Sequence, residues 1–242
     1  MTPRILLAVA GRVLNQIRRD HRTLAMLLVL PCALMTLLWW MFDDLTFRAL
    51  GPALLALFPF IIMFLVTSVT TLRERTSGTL ERLLAMPMGK LDFLGGYALA
   101  FGLIAAVQSA LAVGLSVLVL DLDVQGPVWM LTLVAIADAV LGTALGLFVS
   151  AFARTEFQAV QFMPAVVIPQ ILLCGLFVAR DAMPAVLGFI SDLLPLSYAV
   201  DAMQGVAQDI ALAEITRDLG IVVAFAVAGL ALGAVTLRRQ SA

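Results

Sequence analysis

Residues 49–87 read ALGPALLALFPFIIMFLVTSVTTLRERTSGTLERLLAMP and join the two features that decide the fold. The first part, Ala49 to Leu72, is apolar, carries no charged residue, and exceeds the ~20 residues that a helix needs to cross a bilayer. Backbone groups in lipid must be hydrogen-bonded within their own segment, so this run predicts a membrane-spanning helix. The second part, Arg73 to Pro87, is short and charged, and predicts a compact segment at the membrane surface.

The composition extends this interpretation to the whole chain. The 242 residues are 62% hydrophobic and 13% charged, with a mean hydropathy of +1.07, which is outside the range of soluble domains. No short alternating runs typical of barrel strands occur. We therefore expect an all-α, polytopic membrane protein that forms one transmembrane domain over residues 1–242. The single histidine, His21, and two separated cysteines, Cys32 and Cys174, predict neither a metal site nor a disulfide.

Six runs are long enough to be spans, and two further segments are not. We expect an amphipathic interfacial helix at 3–22, because Ile5, Val9, Val13 and Ile17 recur on one face and arginines supply the other. We expect the first span to be retained as a membrane helix and not to be cleaved off as a signal peptide. Residues 180–218 hold two apolar stretches too short to cross, which predicts short re-entrant helices before the last span. The predicted spans are approximately 24–42, 49–72, 93–120, 128–152, 159–179 and 219–237.

The distribution of charge predicts the topology of these six spans. Twelve of the 15 basic residues fall on one side and only Arg48, Arg180 and Arg217 fall on the other. Basic residues concentrate on the cytoplasmic side of membrane proteins, so both termini and the charged segment are expected in the cytoplasm. Ten acidic residues lie on the side that is poor in basic residues. Residues 180–218 fall on that side and are expected outside the cell.

The charged segment has the features of a docking helix. Ser77 or Gly78 can cap it, and Pro87 ends it. Leu80, Leu83 and Leu84 would then form a small apolar face that suits a groove on a soluble partner. The alternative is an ordinary cytoplasmic loop that only satisfies the charge rule.

This segment resembles the cytoplasmic connector of ABC type-2 transporter permeases. The resemblance lies in the run from Arg73 to Glu81, which contains Gly-Thr-Leu-Glu, and in the Pro87 that follows. A second match lies downstream, in a Phe, a Met-Pro pair, and then a Pro and Tyr before the final span. Together the two matches resemble small drug, lipid and lipo-oligosaccharide exporter permeases. The second match consists of Phe177, Met183, Pro184, Pro195 and Tyr198, which the resemblance places at an outer gate.

The resemblance implies a six-span half-transporter that dimerises, most simply as a homodimer, and binds two copies of a cytoplasmic ATP-binding subunit. Because the chain lacks a G-x-x-x-x-G-K-[ST] phosphate loop, ATP and Mg would be bound by that partner. We expect no cofactor or catalytic residue in this chain, and no nucleic acid partner. The positions implied to couple to the ATPase are Glu74, Gly78, Thr79, Leu80, Glu81 and Leu84.

Asp138 is the most exceptional single residue, because a carboxylate near the middle of a span is costly and is a functional candidate by default. It could line the substrate route or act as a proton-sensitive gate. Alternatively, it could fix helix packing through a bond to Gln108 or Ser109. Gln161 and Gln170 in the fifth span raise the same choice between a substrate pathway and packing.

The sequence therefore predicts the permease subunit of an ATP-driven exporter in the inner membrane of a bacterium. Its substrate is expected to be hydrophobic or amphipathic, such as a drug or a lipid. The alternatives are an ion-coupled carrier or channel, or export of a lipid-linked saccharide by the same mechanism. A membrane-embedded enzyme is disfavoured because no second ionisable group accompanies Asp138 to form a catalytic set.

Overall fold

The structure, a computed structural model, describes residues 3–77 and 90–236, and the side chains of residues 90–94 and 234 lie outside that description. These residues form long helices joined by short connections. The helices are α1 (Pro3–Arg19), α2 (His21–Met41), α3 (Asp44–Thr76), α4 (Lys90–Leu118), α5 (Val128–Ser150), α6 (Glu156–Leu173), α7 (Ala185–Asp192), α8 (Pro195–Ala207) and α9 (Leu212–Thr236). A short 3₁₀ helix, Arg180–Ala182, lies between α6 and α7.

Within the described residues, six helices are long and apolar enough to cross a membrane, namely α2 to α6 and α9. This finding confirms the predicted all-α membrane protein with six spans. Helices α7 and α8 meet at a bend of 90° and would form either a broken span or a re-entrant loop. The re-entrant placement of residues 180–218 stays a prediction.

Helix α3 occupies the centre of the bundle. In its most apolar stretch 72% of the residues are buried, against 61% in α5 and only 17% in α2 and in α6. Gly142 and Gly146 bring α5 onto α3. A methyl group added at Gly142 would lie 2.4 Å from the carbonyl oxygen of Phe60, and one at Gly146 would lie 2.5 Å from that of Phe64. The spacing of small residues therefore serves close helix packing inside the chain.

The predicted apolar face of the N-terminal helix is confirmed, because Val9, Val13 and Ile17 are buried. These residues pack with α4 side chains such as Tyr97. The predicted end at Arg22 was wrong. Helix α1 ends at Arg19, since the Asp20 carboxylate accepts hydrogen bonds from the backbone N–H groups of Arg22 and Thr23 and caps α2.

Other predicted boundaries also differ from the structure. Helix α6 begins at Glu156, where Thr155 caps it, and it ends before Gly175, whose φ of +92° a helix cannot accommodate. Helix α9 begins at Leu212, so the last residues assigned to the 180–218 segment belong to a span. Helix α3 continues to Thr76 and includes the start of the charged segment. Hydropathy locates the apolar part of a helix and misses its polar ends.

Candidate functional site: the charged last turn of the central helix

Three consecutive charged residues, Arg73, Glu74 and Arg75, form the last turn of α3, and we call them the charged turn. Successive residues of an α-helix point about 100° apart, since one turn takes about 3.6 residues. Three neighbouring side chains can therefore reach three different partners. The charged turn leads directly into the predicted coupling segment.

Glu74 points inward and joins α3 to two other helices. Its carboxylate oxygen Oε2 accepts a hydrogen bond of 2.8 Å from Nη2 of Arg12 on α1. The same guanidinium nitrogen donates to the hydroxyl of Tyr97 on α4 over 2.9 Å. The Glu74 side chain is 5% exposed, and Tyr97 is fully buried. Because a buried carboxylate is stable only when paired, Arg12 fixes α1 against the end of α3.

Arg73 points the other way and binds α6. Its Nε donates to Oε1 of Glu156 over 2.8 Å, and its Nη2 donates to Oε2 over 2.9 Å. Glu156 is the first residue of α6, where a carboxylate also favours the helix dipole. Both side chains are more than half exposed, so this two-pronged pair orients α6 more than it stabilises the fold.

Arg75 completes the charged turn by binding α5. Its guanidinium donates to the backbone carbonyl of Ser150, the last residue of that helix. The final carbonyls of a helix lack partners within the helix and carry partial negative charge, so a cation is well placed there. The charged turn therefore contacts α1, α5 and α6 directly and reaches α4 through Arg12. We call this end of the bundle the basic end, and the opposite end, which holds Arg48 and Asp123, the acidic end.

Of the six predicted coupling positions, Glu74 is described, and it is an internal anchor. Gly78, Thr79, Leu80, Glu81 and Leu84 lie outside the described residues. Sequence reasoning missed Arg12, Tyr97 and Glu156. No local signal marks these three, because the partners of the charged turn are 62 and 83 residues away in sequence.

Asp138 lies on α5, one turn before Gly142, and is fully buried. The suggested bond to Gln108 or Ser109 does not form. Neither carboxylate oxygen has a hydrogen-bond partner within the described residues, and the Gln108 amide lacks one too. Ser109 instead donates to the carbonyl of Ala135 over 3.1 Å. Asp138 is therefore an intramembrane candidate without a structural partner.

The two glutamines of the fifth span differ. Gln161 is exposed on α6. Gln170 is buried and connects α6 to α8, because its amide nitrogen donates to the Val166 carbonyl and its amide oxygen accepts from the Leu196 backbone. These contacts support the packing role for Gln170.

The structure brings together only part of the predicted outer gate. Pro195 opens α8, and the Tyr198 hydroxyl donates to the backbone carbonyl of Asp192 over 2.8 Å. Phe177 is 66% exposed. Met183 and Pro184 lie between the 3₁₀ helix and α7.

The six long apolar helices of the described residues define a polytopic helical membrane protein. The family profile of the ABC-2 type transporter matches residues 5–207. This chain belongs to the ABC-2 type transporter family and is a membrane component of an ABC transporter. The predicted family resemblance is confirmed.

Individual relatives agree with this assignment. The chain is 25% identical over 157 residues to ABC transporter G family member 20 of Dictyostelium discoideum, covering 65% of this chain and 22% of that protein. It is 25% identical over 154 residues to the probable multidrug ABC transporter permease YbhS of Escherichia coli, covering 63% and 41%. It is 27% identical over 146 residues to the inner membrane transport permease YhhJ of Escherichia coli, covering 60% and 39%. The alignments thus span less than half the length of these relatives.

Proposed function

We propose that this chain is the permease subunit of an ATP-driven exporter, working as a pair of copies with two cytoplasmic ATP-binding subunits. The observation that carries the proposal is the position of the charged turn. It is continuous with the predicted coupling segment, contacts α1, α5 and α6 directly, and reaches α4 through Arg12. A force applied to residues 78–89 would therefore reach the bundle through α3 itself.

The charged turn would distribute this force unequally. In the Glu74–Arg12 pair the carboxylate is 5% exposed and the guanidinium side chain 33% exposed, so α1 and α3 would move as one body. The Arg73–Glu156 pair is exposed and weak, so α6 could rotate or separate from α3 during the cycle. Helix α6 is also among the least buried spans of one copy, which suits a helix that lines a path between two copies.

The chain itself would perform no covalent chemistry. It would bind substrate differently in two conformations, and ATP binding and hydrolysis on the partner would shift the equilibrium between them. The multidrug permease among its relatives supports a hydrophobic or amphipathic substrate, such as a drug or lipid. The basic end would face the cytoplasm of a bacterium, with both termini inside, because the topology predicted from the sequence assigns 12 of the 15 basic residues to this side.

Binding and transport assays on coupling-segment variants test this function. The chain would be co-expressed with an ATP-binding subunit, and co-purification and substrate efflux would be measured. We expect Glu81→Arg or Leu84→Asp to reduce both by about tenfold or more, as for a residue central to an interface. Arg154→Gln, which removes an exposed charge at the same end, is the matched control and should change neither.

Two results would overturn the proposal. One is efflux that continues without any ATP-binding subunit. The other is labelling of a cysteine placed at residue 84 by an impermeant reagent added outside the cell, since the coupling segment must then face outward.

A further inference from the structure

Asp138 lies in the middle of α5 and has no role in the proposed function. It is the eleventh of the 23 residues of this helix and is fully buried. Neither of its carboxylate oxygens has a hydrogen-bond partner within the described residues. A charged carboxylate without a partner is too costly to keep in an apolar interior, whereas a protonated carboxyl group is neutral. Asp138 is therefore a neutral acid in this arrangement of the helices.

The packing around Asp138 limits what could bind to it. One turn further along α5, a methyl group added at Gly142 would lie 2.4 Å from the carbonyl oxygen of Phe60 on α3. A drug or a lipid could reach the carboxyl group only if α5 separated from α3, because close-packed helices leave little free space between them. A proton needs no such space. The proton is therefore the ligand that fits this site, and the packing disfavours a place for Asp138 on the substrate route.

Three of the five helices that pack against α5 bring no titratable side chain close to Asp138 within the described residues. The five helices are α3, α4, α6, α8 and α9. The glycine contacts of α5 with α3 place Ala56 level with Asp138, and the nearest charged residue of α3, Arg48, is eight residues away, a rise of about 12 Å. On α4 and α6, Tyr97 and Glu156 lie at the basic end. These helices therefore supply no counter-charge to Asp138 in the described part of the chain.

Toward the acidic end, α9 brings a second carboxylate nearer to Asp138. The contact of Gly229 with Ala144 sets the register of α9 on α5, and it places Asp218 about 7.5 Å closer to the acidic end than Asp138. Asp218 is buried and accepts hydrogen bonds from Arg217, whose side chain is 68% exposed. Asp218 therefore lies between the level of Asp138 and the water at the acidic end.

Cys174, directly after α6, lies between Asp138 and Asp201. Burial raises the pKa of its thiol, and a charge on either carboxylate would raise the pKa further, so both carboxylates lie near it. Asp201, on α8, is bound by Arg180, and its charge interacts with that of Asp218. The exposure of the side chains increases along this series, because Asp138 and Cys174 are buried and Asp201 is 33% exposed. The series leads from the middle of the bundle to water at the acidic end.

We propose that Asp138 is a proton-binding site in the middle of the bundle, and that its proton exchanges with water at the acidic end past Cys174 and Asp201. When the proton leaves, the O–H bond breaks, its electron pair stays on the carboxylate, and a water molecule takes the proton. The negative charge left behind is unpaired beside the contact of α5 with α3, so it weakens that contact. The site itself does not depend on the proposed function, whereas its effect on export does.

The pH dependence of unfolding tests the proton site on the purified chain. The unfolding equilibrium constant in detergent would be measured from about pH 6 to about pH 8 for the unchanged protein and for Asp138→Asn, which mimics the neutral acid. The unfolded chain exposes Asp138 to water and loses the proton that the folded chain keeps, so rising pH favours unfolding. We expect the equilibrium constant of the unchanged protein to rise, relative to that of Asp138→Asn, by up to about tenfold per pH unit, the slope for one proton.

Two further variants control this measurement. Glu214→Gln removes an exposed carboxylate at the acidic end and should keep the pH slope of the unchanged protein. Asp138→Ala removes the proton site without adding an amide, and it should lose the slope as Asp138→Asn does. The alanine variant also decides the question if the asparagine variant does not accumulate in the membrane. A pH slope of the unchanged protein equal to that of the neutral variants would overturn the proton site.

Efflux of the dye ethidium tests the route of the proton and its effect on export. Efflux with an ATP-binding subunit would be measured in whole cells at different external pH, and in inside-out vesicles at different pH on the cytoplasmic side. We expect rising pH at the acidic end alone to reduce efflux by the unchanged protein several-fold relative to Asp138→Asn. A response only to pH at the basic end would overturn the route past Cys174 and Asp201.

The two measurements separate the proton site from the proposed function. A pH slope in unfolding, combined with equal efflux by both proteins at every pH, would support the site and overturn its effect on export. Efflux that does not require the ATP-binding subunit would overturn the proposed function, and the unfolding measurement would still decide the proton site because it uses this chain alone.

Discussion

The two ends of the bundle use charge in opposite ways. At the basic end, the Glu74 side chain is 5% exposed and its ion pair with Arg12 joins separate helices. At the acidic end, the Asp192 side chain is 60% exposed and its ion pair joins neighbouring parts of one segment. A buried pair is costly to break because each charge would remain unpaired in an apolar site, whereas an exposed carboxylate can return to water. The basic end is therefore expected to be more rigid than the acidic end.

Breaking the buried pair should give the largest effect. We expect Glu74→Ala to lower the free energy of unfolding by about 2–4 kcal/mol, because the Arg12 guanidinium loses its carboxylate partner at a largely buried position. Thermal unfolding in detergent would measure the loss, and efflux should fall with it. Arg4→Gln, an exposed change on the same helix α1, is the matched control.

The double variant Arg12→Glu with Glu74→Arg sharpens this test. Recovery of at least part of the lost stability would show that the pair matters as a pair. If Glu74→Ala unfolds at the same temperature as the unchanged protein, the basic end is not a rigid anchor and the contrast between the two ends fails.

The contrast also requires a rigid connection between the ends, and the contact of α5 with α3 provides one. Gly142→Ala should cost about 1–3 kcal/mol, because the added methyl would lie 2.4 Å from a backbone oxygen and the helices must separate. Gly114→Ala on α4 is the matched control, since nothing lies within 4 Å of its added methyl. Thermal unfolding would measure the stability of both variants, and equal stability would contradict the close packing of α5 on α3.

Local features of the chain could be predicted from the sequence, and features that depend on capping or long-range packing could not. The spans and the buried face of α1 were predicted correctly, because hydropathy and helical periodicity are local properties of the chain. The ends of α6 were not, because capping by Thr155 and the backbone angle at Gly175 decide them. The ion pairs of Arg180 with Asp192 and Asp201 were also missed, although Tyr198 was chosen through the family resemblance.

The partners of the buried polar groups were hardest to predict. Arg12 and Glu74 meet only because α1 folds back along α4, and nothing in either local sequence indicates this. Asp138 was singled out correctly as unusual, but its suggested partners Gln108 and Ser109 do not bond to it. Long-range side-chain pairing depends on how the helices pack, which the pattern of one chain does not specify.

The smallest effect should come from the exposed pair of the charged turn. Arg73→Gln should change the free energy of unfolding by at most about 1 kcal/mol, because Arg73 and Glu156 are both more than half exposed and water replaces their bonds. Arg73→Gln should reduce efflux by a larger fraction than it reduces the free energy of unfolding, since this pair connects the charged turn to α6. Glu156→Gln should match it in both measurements, and the double variant should add nothing further, as expected for two partners of one interaction. A loss of stability as large as that of Glu74→Ala would instead mean that the basic end is rigid toward α6 as well as toward α1.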